Sequence, residues 1–398
     1  MNFRAHSPDM FIIGGGPAGL ATAILAAQHG LRVAVADHNR PPIDKACGEG
    51  LMPDTLTAMK MLGIAVGCNE GVPLRGIRFH DADGVTRVEA RFGQGLGVGL
   101  RRTVLHTKLV QRANELGVAL LWGSRVTLAA GGQVFCDNEP VHCNWMIGAD
   151  GEASPFRKWA ALERTRYEQV RFSAQQHFRL APWTDFVEVY WARDFQIVVA
   201  PTNPEELCIA VVSRSPCLRL REALGQVPEL ASRLRHLGDS GKVRGARTAV
   251  RRLGRVCRGR FALVGDASGS VDPLTGEGIG LAFQQAAALL EAIKLSERDA
   301  SRERTSGLQS YQAAHDRMTR APRLMSRLML MMDAHPRLRH RALRIFAAEP
   351  SLFSRLLDVN IGELELSKFG LGHALRLGWR MLTPSWELEA KPLNRLQL

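Results

Sequence analysis

The 398 residues are long enough for two or three domains, and a hydrophobic content of 45% provides for a sizeable core, which implies a globular, folded protein. The seven cysteines, Cys47, Cys68, Cys136, Cys143, Cys208, Cys217 and Cys257, contain no C-x-x-C pair, which argues against a zinc ribbon, a redox dithiol or a disulfide framework and fits a reducing, cytoplasmic setting. A net charge of +13, carried mainly by arginine, admits nucleic acid, anionic lipid or a phosphorylated cofactor as partner without choosing among them.

Residues 10–13 form a short apolar run suited to a buried parallel strand, and the alanine-rich residues 18–29 predict a helix stopped by Gly30. Residues 31–36 supply the next strand, which closes a β-α-β unit with Asp37 at its tip. To a hydropathy scan residues 10–27 resemble a signal or membrane segment. Gly14, Gly15, Gly16 and Pro17 nevertheless fall where the strand turns into the helix, so a targeting role is rejected. No other run approaches the roughly 20 uninterrupted apolar residues that span a bilayer, and the chain is expected to be soluble or peripheral to a membrane.

Further along, Asp81-Ala82-Asp83-Gly84 joins two alternating segments as a hairpin turn, and residues 103–116 follow as an amphipathic helix stopped by Gly117. Short strands lead to Trp145-Met146-Ile147, an apolar run that returns to the central sheet at Gly148, and the next helix starts near Ser154-Pro155. Between about 171 and 250 the texture changes. Residues 172–180, 186–190, 196–200 and 207–212 predict antiparallel strands, with helices near 218–224 and 228–237. Residues 261–264 resume the buried parallel pattern, and 278–294 form a long helix. From Ser310 onward the chain is helical, with Met325, Leu328, Met329 and Met332 at helical spacing beside Arg320, Arg323 and Arg327. This tail is expected to be a cap whose apolar face packs on the first domain, or alternatively a helical face in peripheral contact with a membrane.

Three glycine-bearing segments carry the chemistry. In Gly14-Gly15-Gly16-Pro17-Ala18-Gly19 the glycines Gly14, Gly16 and Gly19 permit a tight turn, close approach of backbone to a pyrophosphate, and hard packing of helix on strand. The helix start at Pro17 and Ala18 offers free N–H groups and a positive dipole end to phosphates. Asp37, about twenty residues downstream, suits an acid that accepts from a ribose hydroxyl, and Arg40 suits an adenine or phosphate contact. The second segment, Gly148-Ala149-Asp150-Gly151, ends an inner strand. The third runs from Gly265-Asp266 to Pro273-Leu274-Thr275-Gly276-Glu277-Gly278. There Asp266 suits a ribityl hydroxyl, the loop from Pro273 through Gly276 to Gly278 and Ile279 would lie against an isoalloxazine ring, and the following helix would point its N-terminus at the ring's N1/C2=O edge. Glu277 is expected to complement the helix dipole rather than take part in chemistry. Taken in order, the three segments suit the parts of one FAD molecule.

On these motifs the chain resembles the p-hydroxybenzoate hydroxylase-type FAD superfamily, which includes aromatic hydroxylases (group A flavin monooxygenases), flavin halogenases and geranylgeranyl reductases. The resemblance spans nearly the whole length. It implies an α/β fold: a Rossmann-like FAD-binding domain of the glutathione-reductase type, interrupted by a mostly antiparallel β-sheet substrate domain and followed by a C-terminal helical region. The expected limits are 1–165 for the first part of the FAD domain, with 70–100 contributing to the substrate side, 166–255 for the β-sheet domain, 256–310 for the second part and 311–398 for the helical region. The resemblance also gives Asp150 and Gly151 contacts to both FAD and NAD(P)H, and places Arg102 and Leu105 as an R-x-x-L element beside the cofactor. Lys45-Ala46-Cys47-Gly48-Glu49-Gly50-Leu51 resembles the P-C-G-G-G-L segment of geranylgeranyl reductases, with Ala46 in place of the proline and Glu49 in place of a glycine.

The candidate catalytic residues are Cys47, equally readable as a small apolar filler, and His177 and Tyr190 on the expected substrate sheet, which could help deprotonate a phenol. The histidines show no ligand spacing, so no metal is expected, and no nucleic-acid module is present. The leading expectation is an NAD(P)H-dependent monooxygenase that hydroxylates a small apolar substrate, aromatic or polyketide-type and plausibly lipid-tailed, with oxygen activated at flavin C4a. The alternatives are reduction of isoprenoid double bonds and a non-catalytic FAD-binding protein. With no second glycine-rich unit, NADH or NADPH would bind only transiently. The sequence leaves the oligomeric state open.

Overall fold

The computed structural model describes residues 7–67, 69–129, 133–235, 241–298, 304–370 and 378. Cys68 and most of the expected helical region beyond residue 370 lie outside the described residues. The first sheet has six strands in the order Cys257–Arg258, Phe261–Leu263, Trp145–Gly148, Met10–Ile13, Val33–Asp37 and Ala119–Trp122. All neighbours are parallel except the first pair. Met10–Ile13 is buried throughout, as an uninterrupted apolar strand in a doubly covered parallel sheet must be. Helix Pro17–Gln28 follows it directly. Pro17 suits the first helical position, where its missing N–H has no partner to lose, and the small residues behind it let the helix pack closely on helix Gly278–Arg298.

The second sheet has eight strands, in the order Gly269–Ser270, Arg244–Leu253, Thr165–Arg179, Glu206–Ser213, Phe195–Asn203, Phe186–Trp191, Gly76–His80 and Arg87–Arg91. The hairpin through Asp81–Gly84 thus supplies two strands to it from the 70–100 segment, one of them parallel to Phe186–Trp191. Side chains alternate between faces along each strand. Phe79, Val187, Val189, Trp191 and Val212 join one core, and Phe178, Tyr190, Ile197, Ile209 and Val211 join another beneath helices Leu220–Gly225 and Pro228–Leu234.

Helix Arg304–Met318 lies along Gly278–Arg298, where the Tyr311 hydroxyl donates to the Leu263 carbonyl at 2.6 Å. Helices Arg320–Ala334, Pro336–Ala348 and Pro350–Asn360 then place Met325, Met332, Leu343, Phe346 and Leu357 in the same core as Phe79, Val88 and Trp191. The tail's apolar face therefore packs mainly on the β-sheet domain, not on the FAD-type domain as expected, because the hairpin strands present it with an apolar face. Among the described residues no helix is long and apolar enough to cross a membrane.

Candidate functional site

The first glycine turn is built by three different constraints. Gly14 has φ +110°, and a Cβ there would strike the carbonyl of Ala149, while one at Gly19 would strike the carbonyl of Gly14. Gly16 differs: no protein atom lies within 4 Å of where its Cβ would stand. Packing does not require glycine at Gly16, whereas a ligand lying against the backbone does. The Gly15 N–H donates to Asp37 Oδ2 at 2.7 Å and the Asn39 N–H to its Oδ1 at 2.8 Å, so the acid at the strand tip also braces the turn. Arg40 is exposed beside Gly123.

A cleft of about 250 Å3 runs from this turn. It brings together Pro17, Ala18, Arg102, Gly265, Asp266, Pro273, Gly276, Gly278 and Ile279 with Cys47 and Glu49. Gly48 and Gly278 on its wall share the open space seen at Gly16. Gly265 has φ +61° and would meet the Ala18 methyl if it carried a Cβ. Gly14, Gly16, Gly19, Asp37, Arg40, Asp150 and Gly151 are not in the cleft lining, which reaches the first turn only at Pro17 and Ala18. Asp150 instead accepts from the Phe156 N–H at 3.0 Å at the start of helix Pro155–Trp159. Burial raises its pKa, against the pull of the Ser154 and Phe156 hydrogen bonds, and its Oδ1 is buried without a partner among the described residues.

On the far side of the cleft the loop before helix Gly278–Arg298 is fixed from three directions. Asp272 accepts from the Leu274 N–H at 3.0 Å, its own N–H donates to Ser326 Oγ at 2.8 Å, and Asn360 Nδ2 donates to the Thr275 carbonyl at 2.9 Å. Gly276 has φ +72°, the left-handed conformation that turns the loop into the helix. Glu277 is 3% exposed, and burial, reinforced by Asp54, raises its carboxyl well above the usual range. Glu277 immediately precedes helix Gly278–Arg298, and its Oε1 accepts a hydrogen bond from Asn360 Nδ2 at 3.3 Å.

Of the candidate catalytic residues, Cys47 lines the cleft, and its N–H donates to Gln175 Oε1 at 2.8 Å. His177 Nε2 lies 2.6 Å from Glu49 Oε2, and Glu49 Oε1 accepts from the Arg102 N–H at 2.9 Å. Glu49 is buried and holds φ +57°, a conformation costly for a side chain other than glycine. Glu49, His177 and Cys208 bring potential ligand atoms within 4.8 Å of one another, a cluster invisible in sequence spacing, but the His177–Glu49 and Gln175–Cys208 hydrogen bonds already occupy them. Tyr190 projects from the opposite face of its strand to Val187 and Val189, which line the cleft. Its hydroxyl donates to Glu188 at 2.9 Å.

A second cavity, of about 160 Å3, adjoins the cleft and shares Ile77 and Leu274 with it. Four methionines from helix Arg320–Ala334, with Phe79, Phe346 and Phe353, form much of its wall, and Thr275 and Asn360 are its two polar lining residues. No ionisable side chain lines it.

A family model described as an FAD binding domain matches residues 8–327. The chain belongs to this FAD-binding family, of the p-hydroxybenzoate hydroxylase type. This FAD-dependent oxidoreductase is 28% identical over 325 residues to a menaquinone reductase of Mycobacterium tuberculosis (strain CDC 1551 / Oshkosh), covering 74% of the chain and 78% of that protein. It is 26% identical to the 6-methylpretetramide 4-monooxygenase of Streptomyces rimosus, over 82% of the chain and 85% of that protein. A solved geranylgeranyl bacteriochlorophyll reductase-like protein from Thermoplasma acidophilum superposes with a TM-score of 0.71 at 19% identity, covering 94% and 96% of the two chains, and shows a common fold.

The residues fit FAD. Gly16, Gly48 and Gly278 leave room for a ligand where packing leaves the choice of residue free, exposed Asp266 offers a carboxylate at the cleft, and the helix beginning at Gly278 offers a positive dipole end. Sequence reasoning missed Asn360, which lies 85 residues from the Thr275 carbonyl it holds. Glu49, which the reductase alternative singles out together with Cys47, lies in the cleft, but its pairing with His177 Nε2 at 2.6 Å gave no sequence signal, since the two residues are 128 positions apart.

Proposed function

We propose that this flavoprotein reduces a carbon–carbon double bond in a hydrocarbon-tailed substrate held in the apolar cavity beside the ring loop. The observation that carries the reading is the cavity wall, which offers a hydrocarbon chain contact throughout and no ionisable group. Oxygen transfer to a phenol leaned on His177 and Tyr190 as bases. Tyr190 sits on the other face of the sheet, and His177 is tied to Glu49 outside the cavity lining. The menaquinone reductase relative and the Cys47–Leu51 segment support the same direction.

FAD, when bound and reduced by a nicotinamide donor, would supply the hydride. The chain's own residues do the rest. Gly14, Gly16 and Gly19 with the start of helix Pro17–Gln28 hold the pyrophosphate, and Asp37 and Asp266 serve the two polyol ends. Asp272, Ser326 and Asn360 fix the ring loop, and the methionine wall excludes water from the reacting bond. The Glu49–His177 pair holds a proton at the cleft edge, between Nε2 and Oε2.

Hydroxylation is the second reading, favoured by the monooxygenase relative, which matches more of the chain than the reductase does. Photoreduced holoprotein mixed anaerobically with a phenol carrying an unsaturated prenyl tail, which offers double bonds and an electron-rich ring but no quinone to take the electrons, separates the two. Reduction predicts flavin reoxidation and a product heavier by two hydrogens. No anaerobic reoxidation, with a product heavier by one oxygen once air is admitted, would overturn it.

A further inference from the structure

The apolar cavity reaches the surface at Met331, which lines it and is 40% exposed. Large apolar side chains are seldom so exposed without cause, and this one sits among half-buried lining residues, Leu328 on the same helix and Leu338 on the next. Residues 320, 324, 327 and 331 recur at helical spacing and share one face. On that face Arg320 and Arg327 are exposed beside Leu324 and Met331, and Arg337 is exposed at the start of the following helix. None of these three arginines makes an ion pair among the described residues. From residue 317 to 344 the chain carries eight arginines and a single acid, Asp333, which is buried and held by Arg214 at 3.0 Å. No acidic side chain in that segment therefore offsets the exposed cations around the cavity mouth.

We propose that this face docks on an anionic phospholipid surface, with Arg320, Arg327 and Arg337 against the headgroups and the cavity mouth at Met331 turned to the acyl region, so that a lipid-tailed substrate enters without crossing water. Arginines on a polar rim with methionine and leucine beside them suit the interface, where cations meet headgroup phosphates and apolar side chains enter the acyl boundary. The same face would be a poor match for a second copy of this chain, since like charges would meet across it. The docking inference stands apart from the reaction type, because either reduction or hydroxylation of a lipid-tailed molecule would use the same entry.

The test is flotation of the intact holoprotein with vesicles of phosphatidylcholine, alone or mixed with phosphatidylglycerol, at low and high salt. Expected is binding to the mixed vesicles that weakens with salt, and a loss on the order of a hundredfold in the triple variant Arg320→Gln, Arg327→Gln, Arg337→Gln, about a factor of five for each arginine at the surface. The variant should keep its flavin content and its turnover of a short-chain soluble substrate, while turnover of a vesicle-embedded one falls. No binding to the mixed vesicles, equal binding to both vesicle types, or undiminished binding by the triple variant would each overturn the proposal. So would salt-sensitive binding to duplex DNA in place of vesicles. None of these results would touch the proposed reaction, which the anaerobic experiment decides separately.

Discussion

Arg171 NH1 stands 3.4 Å from Asp272 Oδ2, with both side chains wholly buried, between the long sheet and the loop that precedes Gly276. The same nitrogen lies 3.5 Å from Asp333 Oδ2 on helix Arg320–Ala334, and Gln196 Nε2 donates to Asp333 Oδ1 at 2.6 Å. One guanidinium thus ties together the sheet, the ring loop and the cavity wall.

Replacing Arg171→Met should cost about 3–5 kcal/mol, because it leaves the wholly buried Asp272 carboxyl without its cation, while Asp333 keeps Arg214 at 3.0 Å. Burial already raises the pKa of Asp272 against the pull of Arg171, so the deficit should narrow as pH falls and that carboxyl takes up a proton. Urea unfolding of both proteins at neutral and acid pH measures this. A deficit independent of pH would show that the loss is one of packing.

Gly14→Ala and Gly16→Val should fail for opposite reasons. The first forces a side chain into φ +110° and into the Ala149 carbonyl, and should cost about 3 kcal/mol or more in stability. The second places its Cβ in open space, with no atom beyond its chain neighbours within 4 Å, and should leave the apoprotein within about 1 kcal/mol of wild type, yet yield a colourless preparation. Thermal unfolding of apoproteins beside flavin absorbance separates the two effects. A yellow Gly16→Val protein would contradict the assigned pyrophosphate contact.

Tyr190→Phe should leave turnover unchanged and lower stability by about 1.5–3 kcal/mol, the usual net value of a buried hydrogen bond to a charged group, here the Glu188 carboxylate. Steady-state kinetics on the folded variant decides it. A large fall in kcat would return Tyr190 to the site.

Glu188 makes a pH-dependent contribution. Burial pushes its carboxyl up, but the nearby His80 ring, 3.8 Å away, and hydrogen bonds from Trp183, Tyr190 and Arg78 outweigh that and hold it down at about 2. A depressed carboxylate stabilises the fold above its ordinary pKa and loses that contribution as pH falls. Glu188→Gln should therefore be less stable by roughly 2–3 kcal/mol at pH 7, with the gap closing between 4.5 and about 2. Denaturant midpoints across that range test it. A gap that stays constant would rule out the charge as its origin.

The FAD-type half was legible because its constraints are local. Buried strands read as apolar runs, and the glycines at Gly14, Gly265 and Gly276 mark backbone that only glycine adopts at low cost. The β-sheet domain was legible in its alternation, although strand Thr165–Arg179 begins before the expected residue 172. The cavity was not legible, since its wall joins Ile77, Leu274 and Phe353 from distant segments, and periodicity tells only that a helix has an apolar face. Alternation alone also leaves open which face of its strand carries Tyr190 and which face meets the cofactor cleft. Asn360 and Arg171 gave no signal, because a buried polar side chain declares its role only through partners brought together by folding.

The central claim, that substrate lies in the apolar cavity beside the ring loop, is tested most directly by titrating farnesol into oxidised holoprotein and into Ala342→Phe, whose added ring would fill space on the cavity wall. The account predicts a saturable change in the flavin spectrum of the wild type, and in the variant full flavin content with that response lost or weakened at least tenfold. An equal response in both proteins would contradict it.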